Sequence, residues 1–218
     1  MIKGKKILVL AAHPDDETFG CGATLSKLSK KNKISLLTFT DGVSSRVNNQ
    51  NKNRNFKLEK VCKILGITKF DYGNFPDNKL DSVPLLDICK FIEKKIKFSP
   101  DIIFTHHQEC LNIDHEIVYR ATITVFRPQT KNSPDIISYV VPSSIEYNPS
   151  KNIYYNLYFD VKSSFKDKIL ACRIYSKELR KYPHPRSIQS MINQMKSNGS
   201  EIGIEFAEKF TQIRKIIK

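Results

Sequence analysis

Between Ile7 and Glu17 the chain reads ILVLAAHPDDE, an apolar run followed without a gap by a histidine, a proline, two aspartates and a glutamate. His13-x-x-Asp16 sets an imidazole and a carboxylate three residues apart. On a tight loop both can reach one ion, and Zn²⁺ takes nitrogen and oxygen donors at ~2.0–2.2 Å. Catalytic zinc commonly has three protein ligands plus a water, so one more ligand must come from elsewhere. His115, in Asn112-Ile113-Asp114-His115, is the natural candidate, because it follows a strand expected to end beside the first. Asp15 would then be free of the metal and close to its water. Zinc brings that water's pKa down to ~7, so a neighbouring carboxylate can accept its proton. Helix capping is the plainer explanation for acids in this position. It accounts for Asp16 or Glu17, but not for His13-Pro14 or for a second histidine cluster.

That second cluster is His106-His107, and His115 and His184 complete the five histidines of the chain. Each lies at an expected strand end or in a breaker-rich segment beside one, and none falls on a helical core stripe. A lone histidine is more often structural than a ligand. The joint placement here reverses that preference.

The elements that must position these residues alternate. Apolar runs at Ile7 onward, Ile34–Thr40, Lys69–Tyr72, Asp101–Thr105 and Ile136–Val141 read as strands. Thr18–Lys31, Arg54–Leu65, Pro84–Phe98 and His115–Phe126 read as helices between them. Val43–Asn53 and Asn74–Asp81 read as rim loops. Alternation of this kind predicts an α/β protein with a mostly parallel sheet and helices on both faces. Ligands of such sheets bind at the carboxyl ends of the strands, which is where the first histidine and acids fall. In the last third, Ile153–Val161 reads as a strand, and Lys166–Tyr182, Ile188–Lys196 and Gly203–Ile217 read as helices. The expectation is therefore a helical C-terminal third packed on the sheet, within one domain over residues 1–218.

Composition narrows the classes. With 218 residues and 40% of them hydrophobic, the chain can bury one good core. It holds no apolar stretch near the ~18 residues of a membrane span. Its five cysteines are scattered and form no C-x-x-C pair, which argues against a disulfide framework and for a reducing, cytoplasmic setting. The net charge of +14 admits an anionic partner. The lysines are spread thinly without interleaved aromatics, so no specific nucleic-acid binding is expected.

The motifs resemble those of the zinc-dependent N-deacetylases of the LmbE/PIG-L type. The resemblance rests on AHPDDE after the first strand, Thr40-Asp41-Gly42 after the second, and THHxxxLNIDH later. Arg127-Pro128, PSSIEY from Pro142, YPHPRS from Tyr182 and AEKF from Ala207 extend it. It implies a Rossmann-like fold and removal of an N-acetyl group from an amino sugar of GlcNAc type or its conjugate, a nucleotide-linked one included, with release of acetate. It also implies one Zn²⁺ or another divalent transition metal per chain, held by His13, Asp16 and His115, with Asp15 as general base. By the same resemblance Arg54 and Asp41 are substrate-binding candidates, and Asp114 is a catalytic candidate that would orient His115 or a second catalytic group. The chain departs from the family in two places. Asn112 stands where many relatives have a histidine that serves as acid or oxyanion stabiliser. Asn112 cannot transfer a proton, so it is expected to touch substrate, while His184 and His106 become candidates for the missing donor. Glu109-Cys110 replaces a Gly-Asp pair. The alternatives are an amidohydrolase of the same fold acting on a non-sugar amide or thiol-conjugate precursor, and a basic non-enzymatic nucleic-acid or anion-binding protein. A dinucleotide enzyme is disfavoured, because HPDD puts acids where a pyrophosphate would sit.

Overall fold

The structure, a computed structural model, describes residues 2–42, 54–128 and 133–217, with the side chains of residues 54–56 outside the description. The expected loop Val43–Asn53 and the Arg54 side chain therefore lie outside the described residues.

The first strand, β1 (Lys6–Ala11), is the centre of the sheet. From Ile7 to Ala12 every side chain is fully buried. Strand alternation divides them between two layers. Ile7, Val9 and Ala11 pack with α1 (Asp16–Ser29), α2 (Arg54–Leu65) and α5 (Phe165–Ile174). Leu8, Leu10 and Ala12 pack with α3 (Leu85–Lys95) and α4 (Ile113–Val125). An apolar run with no polar face is thus a strand with helices on both sides. Each fully buried Leu or Ile contributes roughly 1.5–3 kcal/mol.

The remaining strands are β2 (Lys33–Thr40), β3 (Lys69–Phe75), β4 (Ile102–His106), β5 (Asp135–Tyr139), β6 (Leu157–Asp160) and β7 (Ala207–Arg214). The sheet order is β3-β2-β1-β4-β5-β7-β6. Strands β1 to β5 pair in parallel, and β7 pairs antiparallel with both β5 and β6. The chain winds outward from β1 through β2 to β3, then returns to β4 on the other side. The β1/β4 boundary is therefore the switch point, and a crevice opens beyond the carboxyl ends of these two strands. A 3₁₀ turn at Leu80–Ser82 and a last helix, α6 (Ile188–Ser200), complete the fold.

The C-terminal third corrects the expectation of a helix over residues 203–217, where the chain forms β7. Ile204, Ala207, Phe210 and Ile213 are spaced as a helix would space them. The open edge of β5 supplies backbone partners that a helix could not use, and tertiary pairing overrides the pattern. Glu208 on β7 then reaches α1 and accepts hydrogen bonds from Thr24 N at 2.7 Å and Ala23 N at 3.4 Å, while Lys168 of α5 donates to it at 2.6 Å. The helix expected to run to Tyr182 ends at Ile174. Against β5, α1 approaches so closely that a Cβ on Gly20 would lie 2.3 Å from the Tyr139 ring.

Candidate metal centre

Directly after β1, the backbone of Ala12 is held from both sides. Phe39 N and Thr40 N of β2 donate to Ala12 O, and Ala12 N donates to His106 Nε2 of β4 at 2.9 Å. The next residues turn sharply. Asp15 carries a φ of 144°, which few non-glycine residues adopt and which costs about 1–3 kcal/mol. That strained residue is the N-cap of α1, so Asp16 opens the helix directly behind it. In the connection that follows the neighbouring strand β4, Asn112 caps α4 through its Oδ1, which accepts from Asp114 N and His115 N. The start of α4 thus delivers His115 to the crevice.

His13 Nδ1 lies 3.0 Å from Asp16 Oδ2, His115 Nε2 lies 3.2 Å from the same oxygen, and the two nitrogens are 3.3 Å apart. All three side chains are buried. The other nitrogen of each ring is held from behind. His13 Nε2 is 3.0 Å from Asp114 Oδ2 and 3.3 Å from Asp77 Oδ1. His115 Nδ1 is 2.9 Å from Cys110 Sγ. His106 stacks on His115 with ring centroids 3.9 Å apart.

This convergence sets the electrostatics. Burial opposes charge on His13, but Asp16 and the hydrogen bond to Asp114 outweigh it and hold its pKa up at about 9. Burial also opposes charge on His115, and Asp16 with Cys110 carries it up to about 10. Burial works against ionised Asp16 too, yet His115 and His13 keep its pKa well below the ordinary value. His106 is the opposite case. Burial, and then the charge of His115, push its pKa well down, so it stays neutral. Desolvation lifts Glu17 to about 7. Its carboxyl accepts from Asp15 N at 3.1 Å and from Thr18 Oγ1 at 2.6 Å, so Glu17 holds the strained residue in place.

Two imidazole nitrogens and one carboxylate oxygen, mutually within 4.8 Å, make a donor set that fits a divalent transition metal. The fit test is chemical. Three lone-pair bearers at this separation repel unless protons or a cation stand between them, and one ion replaces those protons at a single point. The orienting bond on His13 runs through Nε2, which leaves Nδ1 as the ligating atom.

The structure reassigns several expected residues. Asp114 is fully buried and accepts from Asn78 N at 2.8 Å and Leu80 N at 2.9 Å as well as contacting His13. It is a positioning group, and it acts on His13 instead of His115. Asn112 spends its oxygen on the α4 cap and one amide N–H on Asn78 Oδ1, which leaves its second N–H for a substrate. His106 has no exposed surface, so it neither touches substrate nor donates to it; it supports β1 and His115. Asp41 is exposed at the end of β2, on the same edge as the triad. His184 is half-buried, and its Nδ1 accepts from Arg186 N at 3.0 Å, which leaves Nε2 to carry the proton. Its ring packs edge-on against Tyr147. Pro183 and Pro185, on either side of it, line a cavity of about 520 Å³ with Phe19, Pro142 and Ile145; the triad does not line it. Asp77 and Cys110 went unassigned in the sequence. Asp77 sits in a loop after β3, at the same carboxyl edge, and that position was its only signal.

Comparison with known proteins identifies the family and the fold. The family model described as GlcNAc-PI de-N-acetylase, PIG-L, matches residues 8–126, which is over half of the chain. The chain is 30% identical over 152 residues to the uncharacterized deacetylase YaiS of Escherichia coli strain K12, covering 65% of this chain and 77% of that protein. Among solved structures, N,N'-diacetylchitobiose deacetylase from Pyrococcus horikoshii superposes with a TM-score of 0.72 at 20% identity, over 95% of this chain and 83% of that one. GalB, the 4-carboxy-2-hydroxymuconate hydratase of Pseudomonas putida KT2440, superposes with a TM-score of 0.67 at 14% identity, over 98% of each chain. The matched residues include His13, Asp16 and His115 and the strands that deliver them, and the chain belongs to the PIG-L family of deacetylases.

Proposed function

We propose that the chain is a metal-dependent N-deacetylase that removes the acetyl group from an N-acetylated amino sugar or sugar conjugate of GlcNAc type. Its ligands would be His13, Asp16 and His115, and its general base Asp15. The observation that carries this reading is the convergence of three ligating atoms at 3.0–3.3 Å beside a strained aspartate. A zinc ion bound there would polarise the acetyl carbonyl and acidify a water.

The chain's own residues do the rest. Asp114 fixes the His13 tautomer. Asp15, held by its backbone strain and by Glu17, takes a proton from the attacking water. The water oxygen bonds to the carbonyl carbon, the C–N bond breaks, and the amine nitrogen gains a proton. Acetate and the free amine leave. With Asn112 occupied as a cap, Asp15 itself or the Nε2–H of His184 supplies that proton.

The choice of amide hydrolysis rests on the family, because the fold is shared with a hydratase. The net charge of +14 supports an anionic substrate such as a nucleotide-linked sugar. The five cysteines are buried free thiols, which supports a cytoplasmic setting. No helix among the described residues is long and apolar enough to cross a membrane.

The test is incubation of the zinc-loaded protein with a panel of N-acetylated sugars, UDP-sugars and non-sugar N-acetyl amides, scoring acetate. Release from a sugar is expected, and Asp15→Asn should reduce it about 10²–10⁴-fold with zinc content near one equivalent. Zinc-loaded protein that releases no acetate from any sugar overturns the substrate class. An Asp15→Asn variant with most of its activity removes Asp15 from the mechanism.

A further inference from the structure

The two imidazoles of the triad are held by unlike groups. Behind His13 stands a carboxylate, with Asp114 Oδ2 at 3.0 Å. Behind His115 stands a thiol, with Cys110 Sγ at 2.9 Å from Nδ1. A ligating histidine almost always gives its second N–H to a carboxylate, a carbonyl or a water, so sulfur in this place is unusual. We propose that Cys110 is the positioning residue of His115: its sulfur accepts the Nδ1–H, and this fixes the tautomer and the ring so that Nε2 faces the metal. The inference rests on the metal centre proposed above.

Three observations support it. The sulfur is held in place, not merely nearby. Cys110 N donates to His107 O at 3.2 Å, Leu111 N donates to Ser144 O at 2.8 Å, and Asn148 Nδ2 donates to Glu109 O at 2.9 Å. The segment before α4 is thereby tied to the loop after β5. Secondly, the Cys110 side chain is buried and its sulfur is outside the cluster formed by the ligating atoms of His13, Asp16 and His115. It therefore orients a ligand instead of acting as one. Thirdly, the geometry leaves one productive tautomer. If the thiol donated its proton to Nδ1, the hydrogen of a neutral ring would sit on Nε2, where it would block ligation.

The choice of sulfur has a consequence for affinity. A thiol is a weak acceptor, whereas a carboxylate makes a charge-assisted bond that is shorter and stronger. His115 is accordingly the less strongly supported of the two imidazoles. Removing the sulfur should weaken the metal site, and replacing it with a carboxylate should tighten it.

The experiment measures zinc dissociation constants by chelator competition for the full chain, for Cys110→Ala and for Cys110→Asp. In parallel, ¹⁵N-histidine spectra of the zinc-loaded wild type report the tautomer of His115. We expect Cys110→Ala to bind zinc about 10–100-fold more weakly and Cys110→Asp to bind at least as tightly as wild type. The spectra should show His115 protonated at Nδ1. Thermal melts of the metal-free proteins separate folding losses from ligand positioning. A zinc constant for Cys110→Ala within threefold of wild type overturns the inference, and so does an Nδ1 without a proton, a readout that needs no variant to fold. A wild-type protein that takes up no zinc overturns the metal centre and this inference together, whereas the first two outcomes leave the metal centre standing.

Discussion

Two buried charge clusters in this molecule obey different rules. In the C-terminal third, Lys168 and Glu208 meet at 2.6 Å, both nearly inaccessible to solvent. An ammonium faces a carboxylate, and two backbone N–H groups of α1 donate to the same carboxylate. At the β1/β4 switch point, two imidazole nitrogens and a carboxylate oxygen face one another at 3.0–3.3 Å. The first cluster sets donors against acceptors, so its groups attract one another within the protein. The second brings lone pairs together and is complete only when protons or a cation intervene. Burial of charge alone therefore does not mark a functional site; a mismatch of donors and acceptors does.

The comparison breaks most visibly if a ligand is removed. Asp16→Ala or His115→Ala should leave less than about a tenth of an equivalent of zinc and bring acetate release down to background. Lys168→Met should keep its zinc. Metal analysis on the purified variants reads both. Full zinc in Asp16→Ala would show that the triad is not the ligand set.

The structural pair should respond through stability. Glu208→Gln strands a buried ammonium, a loss of about 3–5 kcal/mol. Lys168→Met together with Glu208→Gln removes both charges and should recover much of that loss. Urea unfolding of the single and double variants decides it. If the double variant loses the sum of the single losses, the pair is not a closed unit.

A smaller effect tests how the two clusters are supported. Asp114→Asn preserves shape but weakens the carboxylate that holds His13 Nε2. Zinc affinity should fall about 10–100-fold, with the fold retained. Equal affinity would make Asp114 a support for the Asn78–Leu80 turn alone.

The triad was legible in the sequence because its residues lie at the ends of strands with strong signatures. ILVLA and IIF are uninterrupted apolar runs, and the residues just beyond each run had to fall at one edge of a parallel sheet. The parts that were not legible depend on contacts distant along the chain. Asp114 adjoins His115 but serves His13, a partner 101 residues away. Asn112 stands in a motif position but is committed to a helix cap. His106 stands next to the crevice but points into the β1 backbone. The β7 strand carries helix-compatible spacing, and the open edge of β5 decides its state. Local pattern reveals which residues reach the edge, whereas their division into ligands, supports and caps is a matter of side-chain geometry.

His107 offers the finest comparison, since it neighbours His106 without belonging to the triad. Its Nδ1 accepts from Glu109 N at 3.1 Å. Burial pushes its pKa below the ordinary value, with Glu109 pulling the other way. Linkage sets the sign. The unfolded chain protonates His107 near pH 6.5 while the folded chain still resists the proton, so stability is lost as pH falls below about 6.5. His107→Asn keeps an acceptor for Glu109 N and removes the titration. In urea titrations between about pH 7.5 and 5.5, the unfolding free energy of the variant should therefore gain on that of wild type as pH falls. A pH dependence should persist in both proteins, because His106 is likewise held neutral by burial while Glu17, His13 and His115 bind protons in the opposite sense. Parallel curves for the two proteins would mean that folding leaves the titration of His107 unchanged, and that burial does not oppose its charge.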